Sequence, residues 1–147
     1  MSAYADTSFL LSYFGQDSNT LAAHRNAGAW TQVPRLAWTT FGELEFCNAA
    51  RTLIFAGKLD AERLRVIQPR VREDLRGEVL AIKALPADRH YEMAESISAI
   101  HTARVGARTL DVLHIAAARV LGARDLLSFD IRQRQLAMLC GLRLSSR

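Results

Sequence analysis

Short apolar stretches alternate with longer helical ones along this chain, and that alternation limits the fold more than any other feature. Residues 3–6 read as a strand, and residues 8–14 as a helix broken by Gly15-Gln16-Asp17-Ser18-Asn19. Residues 21–30 read as helix, and residues 35–38, after Pro34, as a second strand. Thr39 and Thr40 are N-cap candidates for a helix to Ala56, which Gly57 stops. Asp60 is placed to cap a helix to about Arg76, with Pro69 as a candidate kink. Residues 79–85 form a third strand candidate. Asp88 is expected to cap a helix to about Thr102, and Thr109 another to Leu121. Residues 125–129 read as strand, 132–140 as helix and 142–144 as a last strand. With no repeat, low-complexity tract or long linker, residues 1–147 are expected to form a single domain. Strands alternating with helices build a parallel sheet covered by helices. The expectation is an α/β fold with a central, mostly parallel sheet of four to five strands.

The chain's 147 residues suffice for one substantial core, and 50% hydrophobic against 23% charged residues points to a globular protein. No apolar run reaches the length of a membrane span, and no signal-peptide pattern opens the chain, so a cytoplasmic location is expected. Cys47 and Cys140 form no CxxC pair and are expected as buried free thiols. The net charge of +4 comes from 19 basic and 15 acidic residues, and Lys58 and Lys83 are the only lysines. Arginine suits phosphate because its planar fork binds bidentately. That charge permits a nucleic-acid substrate without requiring one.

Four acids stand where polar side chains are costly. Asp6 ends the first strand candidate, Glu45 lies inside an apolar helix, Asp111 interrupts Thr109-Leu-Asp-Val-Leu-His, and Asp130 ends Leu126-Leu-Ser-Phe-Asp. A carboxylate beside a core must be paired, hydrogen-bonded or metal-bound. In parallel α/β folds ligands bind beyond the carboxyl ends of strands, where Asp6 and Asp130 fall. Asp111 sits in a helix's first turn, where the dipole favours negative charge. Taken singly, each aspartate is equally well read as a helix cap. Glu45, in a helix interior, has no such explanation.

These residues carry a resemblance. Tyr4-Ala-Asp-Thr-Ser-Phe-Leu-Leu resembles the opening strand and turn of PIN-domain nucleases. Thr39-Thr-Phe-Gly-Glu-Leu-Glu-Phe-Cys-Asn-Ala resembles their second acidic motif, Arg108-Thr-Leu-Asp-Val-Leu-His-Ile-Ala-Ala-Ala the third, and Leu126-Leu-Ser-Phe-Asp-Ile-Arg-Gln-Arg-Gln-Leu-Ala the fourth. Length and motif order resemble the VapC branch, the toxins of bacterial toxin–antitoxin pairs. The resemblance implies a three-layer α/β/α sandwich and a metal-dependent endoribonuclease. It also implies a cognate VapB-like antitoxin and a homodimer. Asp6, Glu45, Asp111 and Asp130 match the four family acids, as catalytic residues and as ligands of Mg²⁺ or Mn²⁺. Four acids without a His or Cys cluster suit such hard cations better than zinc.

Supporting roles are expected for Thr7, Ser128, Asn48 and His114. Ser128 stands where the motif often carries threonine and keeps the hydroxyl. Glu43 and Glu45, two residues apart, point to nearly opposite sides of a helix. Glu45 shares a face with Phe41, Asn48 and Thr52, so it is the expected member, and Glu43 an exposed helix residue. His114 shares a face with Asp111, with packing as its commoner role. Arg108 and Arg132, with Arg104 and Arg134, are RNA-phosphate candidates, set against a solvated face. Trp30 and Trp38 are candidates for base stacking, with packing favoured. Residues 63–76 carry five arginines, expected on one exposed helix face. Other readings are a PIN domain that only binds, a non-toxin RNA-processing nuclease, and a phosphoacceptor receiver domain. Against the last, Asp6 stands alone and no lysine follows Lys83.

Overall fold

The computed structural model describes residues 3–28, 36–77 and 79–144. Packing separates the chain into two compact units, Met1–Asp6 with Ala84–Arg147, and Thr7–Lys83.

The first unit is built on three parallel strands, β1 (Ala3–Ala5), β4 (Asp125–Leu127) and β5 (Arg143–Leu144), with β4 in the middle. Ala3, Tyr4 and Ala5 stand opposite Asp125, Leu126 and Leu127, and Leu126 stands opposite Leu144. β1 is buried along its whole length, as a covered parallel strand must be. The helices are α5 (Ala87–Ile97), a π-helical turn (Ser98–Thr102), the short α6 (Ala103–Val105), α7 (Thr109–Val120) and α8 (Ile131–Leu139). α7 is buried from Asp111 to Ala118. Its run Ala116-Ala117-Ala118 has no side chain beyond a methyl, which lets α5 and α8 both pack on it. Gly106 adopts φ +66° after α6, where a side chain would be strained, and turns the chain towards Arg108.

The second unit has two parallel strands, β2 (Leu36–Trp38) and β3 (Leu80–Ile82), pairing Leu36 with Leu80 and Trp38 with Ile82. Its helices are α1 (Thr7–Phe14), α2 (Thr20–Gly28), α3 (Thr40–Phe55) and α4 (Ala61–Arg76). Phe46 of α3 anchors the core, its ring centroid 5.9 Å from Phe14 and 5.6 Å from Trp38 in edge-on contacts. Thr39 caps α3 by accepting the Gly42 amide at 2.9 Å, and Asp60 caps α4 by accepting that of Glu62 at 3.0 Å. Pro69 lies on the exposed side of α4, which continues to Arg76.

The α/β class and parallel pairing are as expected from the sequence. Some particulars differ. Among the described residues the five strands pair as two sheets, β1, β4 and β5 in one and β2 with β3 in the other. The third strand stops at Ile82, which is 78% exposed, with the Lys83 amide making a last bond to the Trp38 carbonyl at 3.0 Å. α5 starts after Pro86, whose fixed φ opens a helix without a side-chain cap, and Asp88 falls in its first turn. α7 takes Arg108, not Thr109, as its N-cap, because the Asp111 carboxylate reaches back to the Arg108 amide. Both cysteines are free but half-buried, and burial pushes both thiols up from their ordinary pKa.

Candidate active site

In the first unit three of the expected acids join one hydrogen-bond network. The Asp6 amide donates to the Leu127 carbonyl at 3.1 Å, carrying the β1–β4 ladder one residue past the strand. Its carboxylate is buried and accepts the hydroxyl of Ser128. Ser128 follows β4 and is itself fully buried. The same hydroxyl accepts the Asp130 amide at 3.0 Å, so one side chain ties two acids together. Asp130 caps α8 by accepting the Gln133 amide at 3.1 Å.

Asp111 occupies the first turn of α7 and is 5% exposed. Its Oδ2 accepts from the Arg108 amide at 3.0 Å and from Arg108 Nε at 3.1 Å, and its Oδ1 from Nη2 at 3.2 Å. Nη2 also donates to Asp130 Oδ2 at 3.4 Å. One guanidinium nitrogen therefore spans two carboxylates. Hydrogen bonding to Asp111, then the charges of Asp111 and Asp130, holds the Arg108 guanidinium above its ordinary pKa. Gln133, buried, closes the network by donating Nε2 to the Asp111 carbonyl at 3.2 Å.

In the second unit Glu45 is half-buried on α3 and accepts the hydroxyl of Thr7, the first residue of α1. Glu43 is exposed, as expected, but is not a bare surface residue: it accepts Trp38 Nε1 at 2.9 Å. Trp38 is buried against Phe46 and serves packing, whereas Trp30 lies outside the described residues.

Of the remaining expected residues, Ser128 and Thr7 touch acids directly. Asn48 is exposed on α3. His114 is buried, its Nδ1 2.9 Å from the Tyr4 hydroxyl, which pins α7 to β1 and fits the packing role. Arg134 donates to the Ser128 carbonyl at 3.0 Å, while Arg104 and Arg132 are exposed. Within residues 63–76, Arg65, Arg72 and Arg76 are exposed, but Arg63 and Arg70 are half-buried, and Arg70 reaches the Phe14 carbonyl at 3.5 Å. The sequence reading missed Gln133, although Asp130-Ile-Arg-Gln carries the spacing of a capping box and would have found it.

A model of the PIN domain matches residues 3–139, a span that contains all four acids. The chain belongs to the PIN-domain family. No curated protein matches it. Membership gives this PIN domain a nuclease-type fold, in a family that typically uses divalent metals. Among the described residues no group of three or more His, Cys, Asp or Glu is placed to hold a metal ion, and no helix is long and apolar enough to cross a membrane. The donor chemistry nonetheless fits a hard cation. The acids offer only oxygen ligands, and Asp111 and Asp130 already share one positively charged nitrogen.

Proposed function

We propose that this PIN domain is a metal-dependent endoribonuclease, with Asp6, Glu45, Asp111 and Asp130 as its acids. The most direct support is the network Asp6–Ser128–Asp130–Arg108–Asp111, which gathers three carboxylates at strand and helix ends. Glu45, in the second unit, is included on the match of its motif alone. A bound Mg²⁺ or Mn²⁺ would supply activated water and neutralise charge on the scissile phosphate. Asp111 and Asp130 would hold it, with Asp6 as the third carboxylate.

The chain's own residues set the stage. Ser128 fixes the Asp6 carboxylate by donating to its Oδ2. Gln133 and the α8 cap fix Asp130 through Oδ1, which leaves Oδ2 facing the Arg108 side. Arg108 and the exposed Arg132 are proposed to meet the RNA backbone. Single substitution of Asp6 or Asp111 by Asn preserves shape and removes charge. Either is expected to lower cleavage of RNA in Mg²⁺ at least a hundredfold with folding intact. Near wild-type cleavage by a clean double variant would overturn the assignment.

The motif order and length support a narrower role as the toxin of a VapBC pair, homodimeric and held inactive by a VapB-like antitoxin in the cytoplasm. Apolar side chains left exposed in the second unit, among them Leu44, Phe55, Val66 and Ile82, are surface that partners of this kind would cover. Copurification with a small, separately encoded protein from the native operon is expected, and recovery as an unpartnered monomer would count against this role.

A further inference from the structure

We propose that Arg108 is a built-in counter-cation of the acidic site, which a divalent metal must displace in order to bind. The inference rests on the metal-dependent function proposed above. Its basis is the placement of one guanidinium. Nε and Nη2 fork onto the two oxygens of Asp111, and Nη2 also reaches Asp130 at 3.4 Å. Two carboxylates so close would repel unless a cation stood between them, and here the chain supplies one. A metal ion and this head group compete for the same oxygens. The arginine contacts Asp111 Oδ1 and Oδ2 as well as Asp130 Oδ2, so bonding of metal to these atoms requires the fork to withdraw.

Two features make withdrawal feasible. The Arg108 side chain is 58% exposed, so its charge can move into water without a burial penalty. Asp111 also keeps its bond from the Arg108 backbone amide at 3.0 Å, so the carboxylate stays aimed after the guanidinium leaves. Any residue except proline at position 108 supplies that amide, so substitution spares the start of α7. The arrangement makes Arg108 a positioning residue. It holds the acids together when metal is scarce and sets a threshold for loading.

The test is calorimetric titration of Mn²⁺ into chelator-treated full-length protein, wild type against Arg108→Gln. Arg119→Gln, an exposed arginine in the last turn of α7, controls for the loss of one positive charge. Metal-free and metal-loaded melting temperatures are read in parallel. Arg108→Gln is expected to bind Mn²⁺ about tenfold more tightly, the size of one charge-assisted hydrogen-bond set discounted for exposure. It should melt a few degrees lower without metal and regain the difference with it. Arg119→Gln should bind within twofold of wild type. Unchanged or weaker binding by Arg108→Gln, with wild type binding normally, overturns the inference and leaves the metal-dependent nuclease standing. Equal tightening by both variants overturns it as well, because net charge alone would then be responsible. Absence of Mn²⁺ binding by any form overturns both the inference and the metal dependence beneath it.

Discussion

The acids of the two units are held by different means. Asp6, Asp111 and Asp130 stand at the end of a strand or the start of a helix, where backbone amides lack partners. Asp111 takes the Arg108 amide and Asp130 the Gln133 amide, while Ser128 links Asp130 back to Asp6. Glu45 lies in the middle of α3, where every nearby amide is already used by the helix, and its hydroxyl partner is Thr7. An acid at an element's end borrows rigidity from the main chain. One in a helix interior takes its support from side chains, here Thr7. In the first arrangement one side chain, Ser128, bears on two acids at once.

Among residues that support the acids, the largest effect should follow Ser128→Ala. It removes a donor from the buried Asp6 carboxylate and the acceptor of the Asp130 amide together. Urea denaturation is expected to show a loss of about 2–3 kcal/mol, and cleavage a ten- to hundredfold fall. Thr7→Val removes the bond to Glu45 and should cost about 1 kcal/mol with a roughly tenfold loss of cleavage. Thr7→Ser should restore both. Should Thr7→Val equal Ser128→Ala in either measurement, the contrast between the two kinds of support fails.

A milder test lies within the second unit. Burial is the main cause that raises the Asp74 carboxyl above its ordinary pKa, partly offset by a hydrogen bond from Tyr13 and the charge of Arg70. A carboxyl raised on folding binds its proton more readily in the folded state, so its ionisation opposes folding above the folded pKa. That penalty fades as pH falls below the unfolded value. Asp74→Asn should therefore raise the melting temperature by a few degrees at most at pH 7, with the gain gone below about pH 4. Calorimetric scans across this range check it, and a gain that grows in acid would contradict the cause. The smallest effect belongs to Glu43→Gln, which keeps an acceptor for Trp38 and should leave cleavage within twofold, whereas Glu45→Gln should not.

Local chemistry made much of this legible in the sequence. Thr39, Asp60 and Gly57 marked helix ends because capping needs only a few neighbouring residues. Asp6, Asp111 and Asp130 were visible as acids in apolar settings, and in the structure bonds through Ser128 and Arg108 link them. What escaped was set by partners far along the chain. The pairing of β1 with β4 joins residues more than a hundred positions apart, and no local pattern encodes it. The same holds for the Ser128 hydroxyl, which is ordinary in sequence and becomes a link only when β4 lies beside β1. Arg108 was legible as a phosphate candidate from its charge, whereas its ion pairs with Asp111 and Asp130 were not.

The π-helical turn at Ser98–Thr102 has a consequence for how such a chain can change length. A turn of this kind holds one residue more than the α-helix around it. Deleting a single residue there would let α5 run regularly into α6 with the segment beyond it nearly in phase, because the wider turn spreads its extra residue over about the same rotation. Deleting one from the regular part of α5 has no such reserve and would swing Arg104 and the Gly106 turn by about 100° about the helix axis. Within this helix, Ser98–Thr102 is where the chain can lose a residue and still bring Arg108 to α7 at nearly the same angle.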